Sequence, residues 1–137
     1  MYSQSREILN DFLAACKAKR NIRVFLDAKK DARTFFNLQT EESIFKFISN
    51  DGLEELVLQD VEPWKNNPKP HIPVNVYAYG FKTGLKRGYI AFMYIKYEKK
   101  WAIKSFKPNN KQDTSFGDKL MKVVEQQKHL EEKNENI

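Results

Sequence analysis

Basic and aromatic side chains are concentrated in one stretch of the sequence, residues 82–107. Eight lysine and arginine residues lie there against one acid, Glu98, although the whole chain of 137 residues has a net charge of only +6. The positive charge must therefore lie on one part of the surface, and a polyanion such as RNA is the first partner to consider. The basic members are Lys82, Lys86, Arg87, Lys96, Lys99, Lys100, Lys104 and Lys107.

The sequence lacks the short motifs of phosphate-binding loops, serine hydrolases and zinc proteases, and neither His71 nor His129 has an evident partner. We therefore expect no metal and no cofactor. RNA still offers a reaction that lysines can promote, because its 2′-hydroxyl can attack the adjacent phosphate and leave a cyclic phosphate. Lysine and arginine would neutralise the developing charge, and a lysine or tyrosine with a shifted pKa would move a proton.

This chemistry assigns roles to individual residues of the basic stretch. The hairpin before the last strand and the last strand itself are expected to bring their cations together on one phosphate. The predicted catalytic residues are Lys82, Lys104, Lys107 and Tyr97. The predicted nucleic-acid-binding residues are Lys86, Arg87, Lys96, Lys99, Lys100 and Tyr79. A second interpretation stays open, because lysines along a sheet also prevent edge-to-edge aggregation and then need no further function.

The first half of the chain predicts three helices and two strands. Apolar residues at three- and four-residue spacing indicate a helix over 5–19. A β-branched run over 22–26 predicts a strand, and Asp27 is expected to cap a helix over 28–36. Thr40 is a good N-cap for a helix that stops near Asn50. A strand is predicted over 56–61, with a helical turn still possible at Glu54 and Glu55.

The second half predicts a β-rich region after a proline-rich loop over 62–73. Strands are expected over 74–81, 89–97 and 101–106, separated by a loop containing Gly84 and Gly88 and by a turn at 98–100. A helix is expected over 118–133. The fold class is thus α+β in one domain: an antiparallel sheet of about four strands, ending in a three-stranded meander, packs against N-terminal helices, and a C-terminal helix follows. Its parts are an N-terminal helix (1–20), a core (21–107) and a tail (108–137).

The composition also predicts the compartment. Cys16 is the single cysteine, so no internal disulfide can form. The N-terminus has no uninterrupted apolar run, and nowhere are there the roughly 18 apolar residues that a membrane span requires. We expect no membrane association and a cytoplasmic location.

Short motifs follow one another between residues 21 and 107. They are Arg23-Val24-Phe25-Leu26, Leu38-Gln39-Thr40-Glu41, Val76-Tyr77-Ala78-Tyr79-Gly80, Tyr89-Ile90-Ala91-Phe92 and Ile103-Lys104-Ser105-Phe106-Lys107. Their order resembles the MqsR-like group of small bacterial toxins within the RelE-type fold. The first helix and the tail are additions to that pattern.

The resemblance implies a metal-independent endoribonuclease that cleaves messenger RNA, in some members on the ribosome, and that an antitoxin protein neutralises. Lys82 resembles the basic residue that follows the hairpin glycine of the family, and Lys107 takes the place of the polar or basic residue after Ser-Phe. Ala91 is a departure, because relatives often carry a lysine there. Two other functions stay open at this point: a nucleic-acid-binding module without catalysis, and an interaction domain for an acidic protein.

Overall fold

Helices and one short strand come first in the chain, and long strands follow. A computed structural model describes residues 2–109, so the predicted helix over 118–133 lies outside the described residues. The elements in chain order are α1 (Tyr2–Ala18), β1 (Ile22–Val24), α2 (Leu26–Phe36), α3 (Glu41–Ser49), β2 (Glu54–Pro63), β3 (Asn75–Thr83), β4 (Lys86–Ile95) and β5 (Lys100–Pro108). None of the described helices is long and apolar enough to cross a membrane.

The strands form one five-stranded sheet in the order β1-β5-β4-β3-β2. Strands β2 to β5 run antiparallel to their neighbours, while β1 pairs with β5 in parallel. The expected α+β class, an antiparallel sheet packed on helices, is confirmed. The antiparallel meander has four strands where three were predicted, and β1 joins the sheet on its far side through bonds such as Phe25 N–H to the Ile103 carbonyl, 2.9 Å.

One face of the sheet, which we call the helix face, carries the main core. Phe12 of α1, Ala32 of α2 and Ile44 of α3 are fully buried against it, and Phe92 of β4 stacks on Phe12 with 3.9 Å between ring centres. Burying each large apolar side chain of this kind stabilises the fold by about 1.5–3 kcal/mol. The three helices within residues 2–109 therefore pack on one side, and we call the opposite side of the sheet the open face.

The proline-rich loop covers only part of the open face. Trp64 packs there with Val74 and Met93 in a second, smaller apolar cluster, and its backbone N–H donates to the Val74 carbonyl at 2.8 Å. The side chain of Asn67 holds the loop in shape by donating to the Ile72 carbonyl at 2.9 Å and by accepting from the Tyr97 hydroxyl. The rest of the open face, beyond Trp64, is not covered by the loop.

The two predicted helix caps have different outcomes. Thr40 caps α3 as expected: its hydroxyl accepts from the Ser43 N–H at 3.0 Å, and the Ser43 hydroxyl accepts from the Thr40 N–H at 2.9 Å. The cap predicted at Asp27 is wrong. Because β1 ends at Val24 and Phe25 is still bonded to β5, α2 begins at once at Leu26, with no side-chain cap. Asp27 lies in the first turn, where its charge favours the helix dipole.

Strand boundaries in the second half also differ from the prediction. The turn between β3 and β4 consists of Gly84, at φ +61°, and Leu85, while Gly88 belongs to β4 and lies opposite Phe81. A Cβ on Gly88 would stand 2.1 Å from the Phe81 ring, so the glycine makes room for a buried aromatic. The last turn spans residues 96–99, because β4 ends at Ile95.

Candidate functional site

The uncovered part of the open face has a floor of small side chains. Ala78 of β3 lies directly opposite Ala91 of β4, and both are buried. Larger residues stand on either side, so a groove of about 220 Å³ forms above the two alanines. Its lining includes Asp60, Glu62, Trp64, Ala78, Tyr89, Ala91 and Lys104.

Two β-bulges flank this floor. Strand β2 has an extra residue, Gln59, just before Asp60 pairs with Ala78, and β5 has an extra residue, Lys104, at the level of Ala91. A bulge bends its strand and changes the direction of side chains, and bulges are common beside active sites. The irregularities of the sheet are thus placed on both sides of the Ala78–Ala91 pair.

The β5 side of the groove is basic. Lys104 is half-buried and reaches the groove from its bulge, and the more exposed Lys107 places its Nζ 5.2 Å from the centre of the Tyr89 ring. Burial raises the pKa of the Tyr89 hydroxyl, and the charges of Asp60 and Glu62 raise it further. Tyr89 therefore keeps its proton at neutral pH and can donate it.

The β2 side of the groove is acidic. The Glu62 carboxyl is hydrogen-bonded to the Asp60 carboxyl, and this bond, with the negative charge of Asp60, raises the pKa of Glu62. Lys65 and Lys104 act in the opposite direction. A carboxylate with a raised pKa binds a proton more strongly than an isolated glutamate does.

A second, shallower concavity adjoins the groove on the other side of Lys104. It lies between β5 and the start of α2, and its lining includes Leu26, Ser105 and Lys107. The first N–H groups of a helix have no partner within the helix and carry its positive dipole end, and here no side chain caps them. Lys104 lines both depressions, and Lys107 adds a second cation here, but the carboxyls of Asp27 and Asp31 line this concavity as well.

Gly80 makes space for a polar side chain at the edge of the groove. It lies opposite Tyr89, and a Cβ on it would stand 2.6 Å from Gln59 Nε2. That amide nitrogen is buried and has no hydrogen-bond partner among the described residues. The site thus offers a neutral donor next to Tyr89, and buried donors of this kind call for a partner.

Lys104 and Lys107 are the predicted catalytic residues that the structure brings together. Lys82 forms an ion pair with Glu55, 3.2 Å between Nζ and Oε1, and does not line the groove. Tyr97 lies in the turn before β5, whereas Lys107 lies near the other end of that strand. From Lys100, the first residue of β5, to Lys107 is a step of about seven residues, or roughly 23 Å. The Tyr97 hydroxyl donates to the Asn67 side chain, so Tyr97 helps to hold the proline-rich loop.

The predicted nucleic-acid-binding residues are divided between two faces and two ends of the sheet. Lys86 is on the helix side, where its Nζ donates to the Phe35 carbonyl at 2.8 Å, so its expected convergence with Lys104 is wrong. The exposed role expected for Tyr79 is also wrong, because Tyr79 is 4% exposed and stacks on Phe92 in the core. Arg87 is the cross-strand neighbour of Lys82. Binding by the last-turn residues stays a prediction, and these lie at the far end of the sheet: Lys96, Lys99 and Lys100.

The groove contains functional groups that the sequence interpretation missed. Asp60, Glu62 and Gln59 come from β2, outside the basic stretch, and Tyr89 was treated there only as one of several aromatics. The alternation of Asp60 and Glu62 about the apolar Val61, just before Pro63, was a signal of a polar strand face. The register that sets this face against β5 depends on two bulges, and these have no evident sequence signature.

Comparisons with known proteins leave the family open. No family model matches the chain, and neither a curated protein nor a solved structure matches it. Within residues 2–109 there is no group of three or more histidine, cysteine, aspartate or glutamate side chains that could hold a metal ion.

Proposed function

We propose that the chain is a metal-independent endoribonuclease of the toxin type, with its active site in the groove. The observation that carries this proposal is the position of Lys104. The β5 bulge directs this half-buried cation over the Ala78–Ala91 floor, between a tyrosine that keeps its proton and a pair of carboxyls. Cations beside proton-transferring groups are what attack of a 2′-hydroxyl on phosphate requires.

The phosphate of RNA would lie against Lys104, with Lys107 on its outer side. In the transition state the non-bridging oxygens of the phosphate carry extra negative charge, which two ammonium groups stabilise without a metal ion. Tyr89 lines the same groove and keeps its proton at neutral pH, so it would be the group that protonates the leaving 5′ oxygen. The Gln59 amide, next to Tyr89, supplies a donor for a base or a sugar hydroxyl.

The resemblance to MqsR-like toxins supports the same function and adds partners. It implies messenger RNA as the substrate, in some members on the ribosome, and a cytoplasmic site of action. It also implies an antitoxin protein. A partner that covers the groove would exclude RNA and silence the enzyme.

The test is inducible expression in a bacterial host, followed by primer extension on total RNA. The native chain is compared with the double variant Lys104→Ala/Lys107→Ala and with Lys46→Ala, which removes an exposed charge from α3 on the helix side. We expect growth arrest and discrete new 5′ ends with the native chain and with Lys46→Ala, and neither with the double variant. Normal growth and intact RNA with the native chain would refute the proposal.

A second function, RNA binding without cleavage, is favoured by one observation. Ala91 forms the floor of the groove at a position where members of the similar family often carry a lysine, and it is only 2% exposed. Because Ala91 replaces that lysine, the groove has one positive charge fewer at its centre to stabilise the phosphate during cleavage. Purified protein distinguishes the two functions: a binding module retains labelled RNA intact, whereas the enzyme yields fragments that end in a cyclic phosphate.

A further inference from the structure

The acidic side of the groove lies on β2, an edge strand of the sheet, where exposed charges also prevent edge-to-edge pairing. None of the ion pairs found among the described residues includes Asp60 or Glu62, although the other side of the groove holds lysines. Carboxylates facing a phosphate site weaken RNA binding by repulsion. Asp60 and Glu62 nevertheless line the same groove as Lys104 and Tyr89, and this placement points to chemistry.

We propose that Glu62 is the catalytic residue that accepts the proton of the attacking 2′-hydroxyl, and that Asp60 is a positioning residue that orients Glu62. This inference rests on the proposed ribonuclease function and names the proton acceptor of that reaction.

The strand register gives the geometry. On the open face, Glu62 pairs with Val76, the Ala78–Ala91 pair comes next, and the Gly80–Tyr89 pair follows. Same-face residues two apart in a strand are about 6.6 Å apart, so Glu62 and Tyr89 lie in rows roughly 13 Å apart, on opposite sides of the floor. A phosphate at Lys104 would have a proton acceptor on one side and a proton donor on the other, as an in-line displacement requires.

Each bond and proton in the step is accounted for. The 2′ oxygen forms a bond to phosphorus while its proton passes to the Glu62 carboxylate. The bond between phosphorus and the 5′ oxygen breaks, and that oxygen takes the Tyr89 proton. The products are a 2′,3′-cyclic phosphate and a free 5′-hydroxyl. Solvent then returns a proton to Tyr89 and removes one from Glu62.

The charged and titratable groups around Glu62 set its working pH. They are Asp60 on its own strand, Lys65 in the loop, Lys104 of β5 and Tyr89 of β4. Asp60 raises the pKa of Glu62, first through the hydrogen bond and then through its charge, while Lys65 and Lys104 lower it. A carboxylate with a raised pKa is a stronger base, and it is still ionised above that pKa.

The experiment is a single-turnover cleavage assay on a labelled RNA oligonucleotide, from about pH 5 to about pH 9, with the purified full chain. The rate of the native chain should rise with pH and then level off. Glu62→Gln should lower the plateau by about a hundredfold or more and remove the rise. Glu62→Asp should keep part of the cleavage rate and the increase of that rate with pH.

Asp60→Asn should move this increase to lower pH, a shift that a merely structural role would not produce. Glu54→Gln, an exposed carboxyl at the start of β2, is the matched control and should behave as the native chain.

Binding of a 2′-O-methyl oligonucleotide, which cannot be cleaved by this route, separates the possible failures. Glu62→Gln should bind it as tightly as the native chain or more tightly. Cleavage by Glu62→Gln with the native rate and the native pH profile would overturn the inference and leave the ribonuclease function standing. Binding without cleavage by the native chain would overturn the ribonuclease function, and the inference with it.

Discussion

Removal of Lys104 should weaken RNA binding far more than removal of any exposed lysine on the helix side. Lys104 is half-buried and lines both depressions, so its ammonium is expected to bond directly to phosphate, and a hydrogen bond to a charged group contributes about 1.5–3 kcal/mol. Since about 1.4 kcal/mol is a tenfold change in affinity, Lys104→Ala should raise the Kd by roughly 10- to 150-fold. Lys107 is exposed, and its loss should cost about 1 kcal/mol or less.

Salt dependence gives a second, independent measure of the same contacts. Each phosphate contact to a single strand contributes about 0.7 to the slope of log K against log salt, so the double variant Lys104→Ala/Lys107→Ala should reduce that slope by roughly 1.4. The assay is fluorescence anisotropy with a labelled 2′-O-methyl oligonucleotide between about 50 and about 300 mM KCl.

Two single variants, each of which removes one positive charge as Lys104→Ala does, serve as controls. Lys46→Ala removes a cation from α3 on the helix side, and Lys99→Ala removes one from the turn at the far end of the sheet. Both should change the affinity by less than Lys104→Ala. An equal loss of affinity in Lys46→Ala would mean that RNA binding depends only on the net charge of the protein. The groove would then not be the binding site. An unchanged salt slope in the double variant would show that phosphate binds elsewhere.

Other expectations concern the proline loop, the hairpin and the pH range of stability. Tyr97→Phe should lower the free energy of unfolding by about 1 kcal/mol, because Asn67 loses a donor, while RNA cleavage continues at the native rate; slower cleavage at native stability would return Tyr97 to the active site. Gly88→Ala should lower stability by about 1–3 kcal/mol in urea unfolding, since its Cβ would meet the Phe81 ring at 2.1 Å, and an unchanged midpoint would show that the ring moves aside. Burial raises the pKa of the Cys16 thiol from 9.0 to about 12, so above pH 9.0 the unfolded chain loses this proton while the native chain keeps it. Stability should therefore fall as pH rises, with a slope approaching about 1.4 kcal/mol per pH unit from this group, and Cys16→Ala should show a shallower fall in the same titration.

Features that depend on local sequence could be predicted, and those that depend on register could not. The helix start at Thr40 follows from contacts within four residues, so its cap was expected from the sequence alone. The position of Gly88 within β4 depends on the Phe81 ring across the hairpin, which the sequence does not place. Which face of β3 packs against the helices depends on tertiary contacts, and Tyr79 was therefore assigned to the wrong environment.

The candidate site was predictable to the same limited extent. Lys104 and Lys107 are three residues apart, so a regular strand would point them to opposite faces, and only the bulge at Lys104 brings both to the groove. The carboxyls of Asp60 and Glu62 come from β2, three strands away in the sheet, and meet Lys104 only because β2 and β5 flank the same alanine floor. A search for a basic stretch cannot find them, because they lie outside it and have the opposite charge.

The acids, more than the lysines, separate the two functions considered for this groove. A protein that only binds RNA gains affinity from every added cation and loses it with every carboxylate near the phosphate. A site for transesterification needs a proton acceptor within reach of the phosphate, and it tolerates the repulsion because a positioned base accelerates the step by about a hundredfold or more. Asp60 raises the pKa of Glu62, and both carboxyls line the same groove as Lys104. This placement weakens binding and would strengthen catalysis, so it favours a ribonuclease over a binding module.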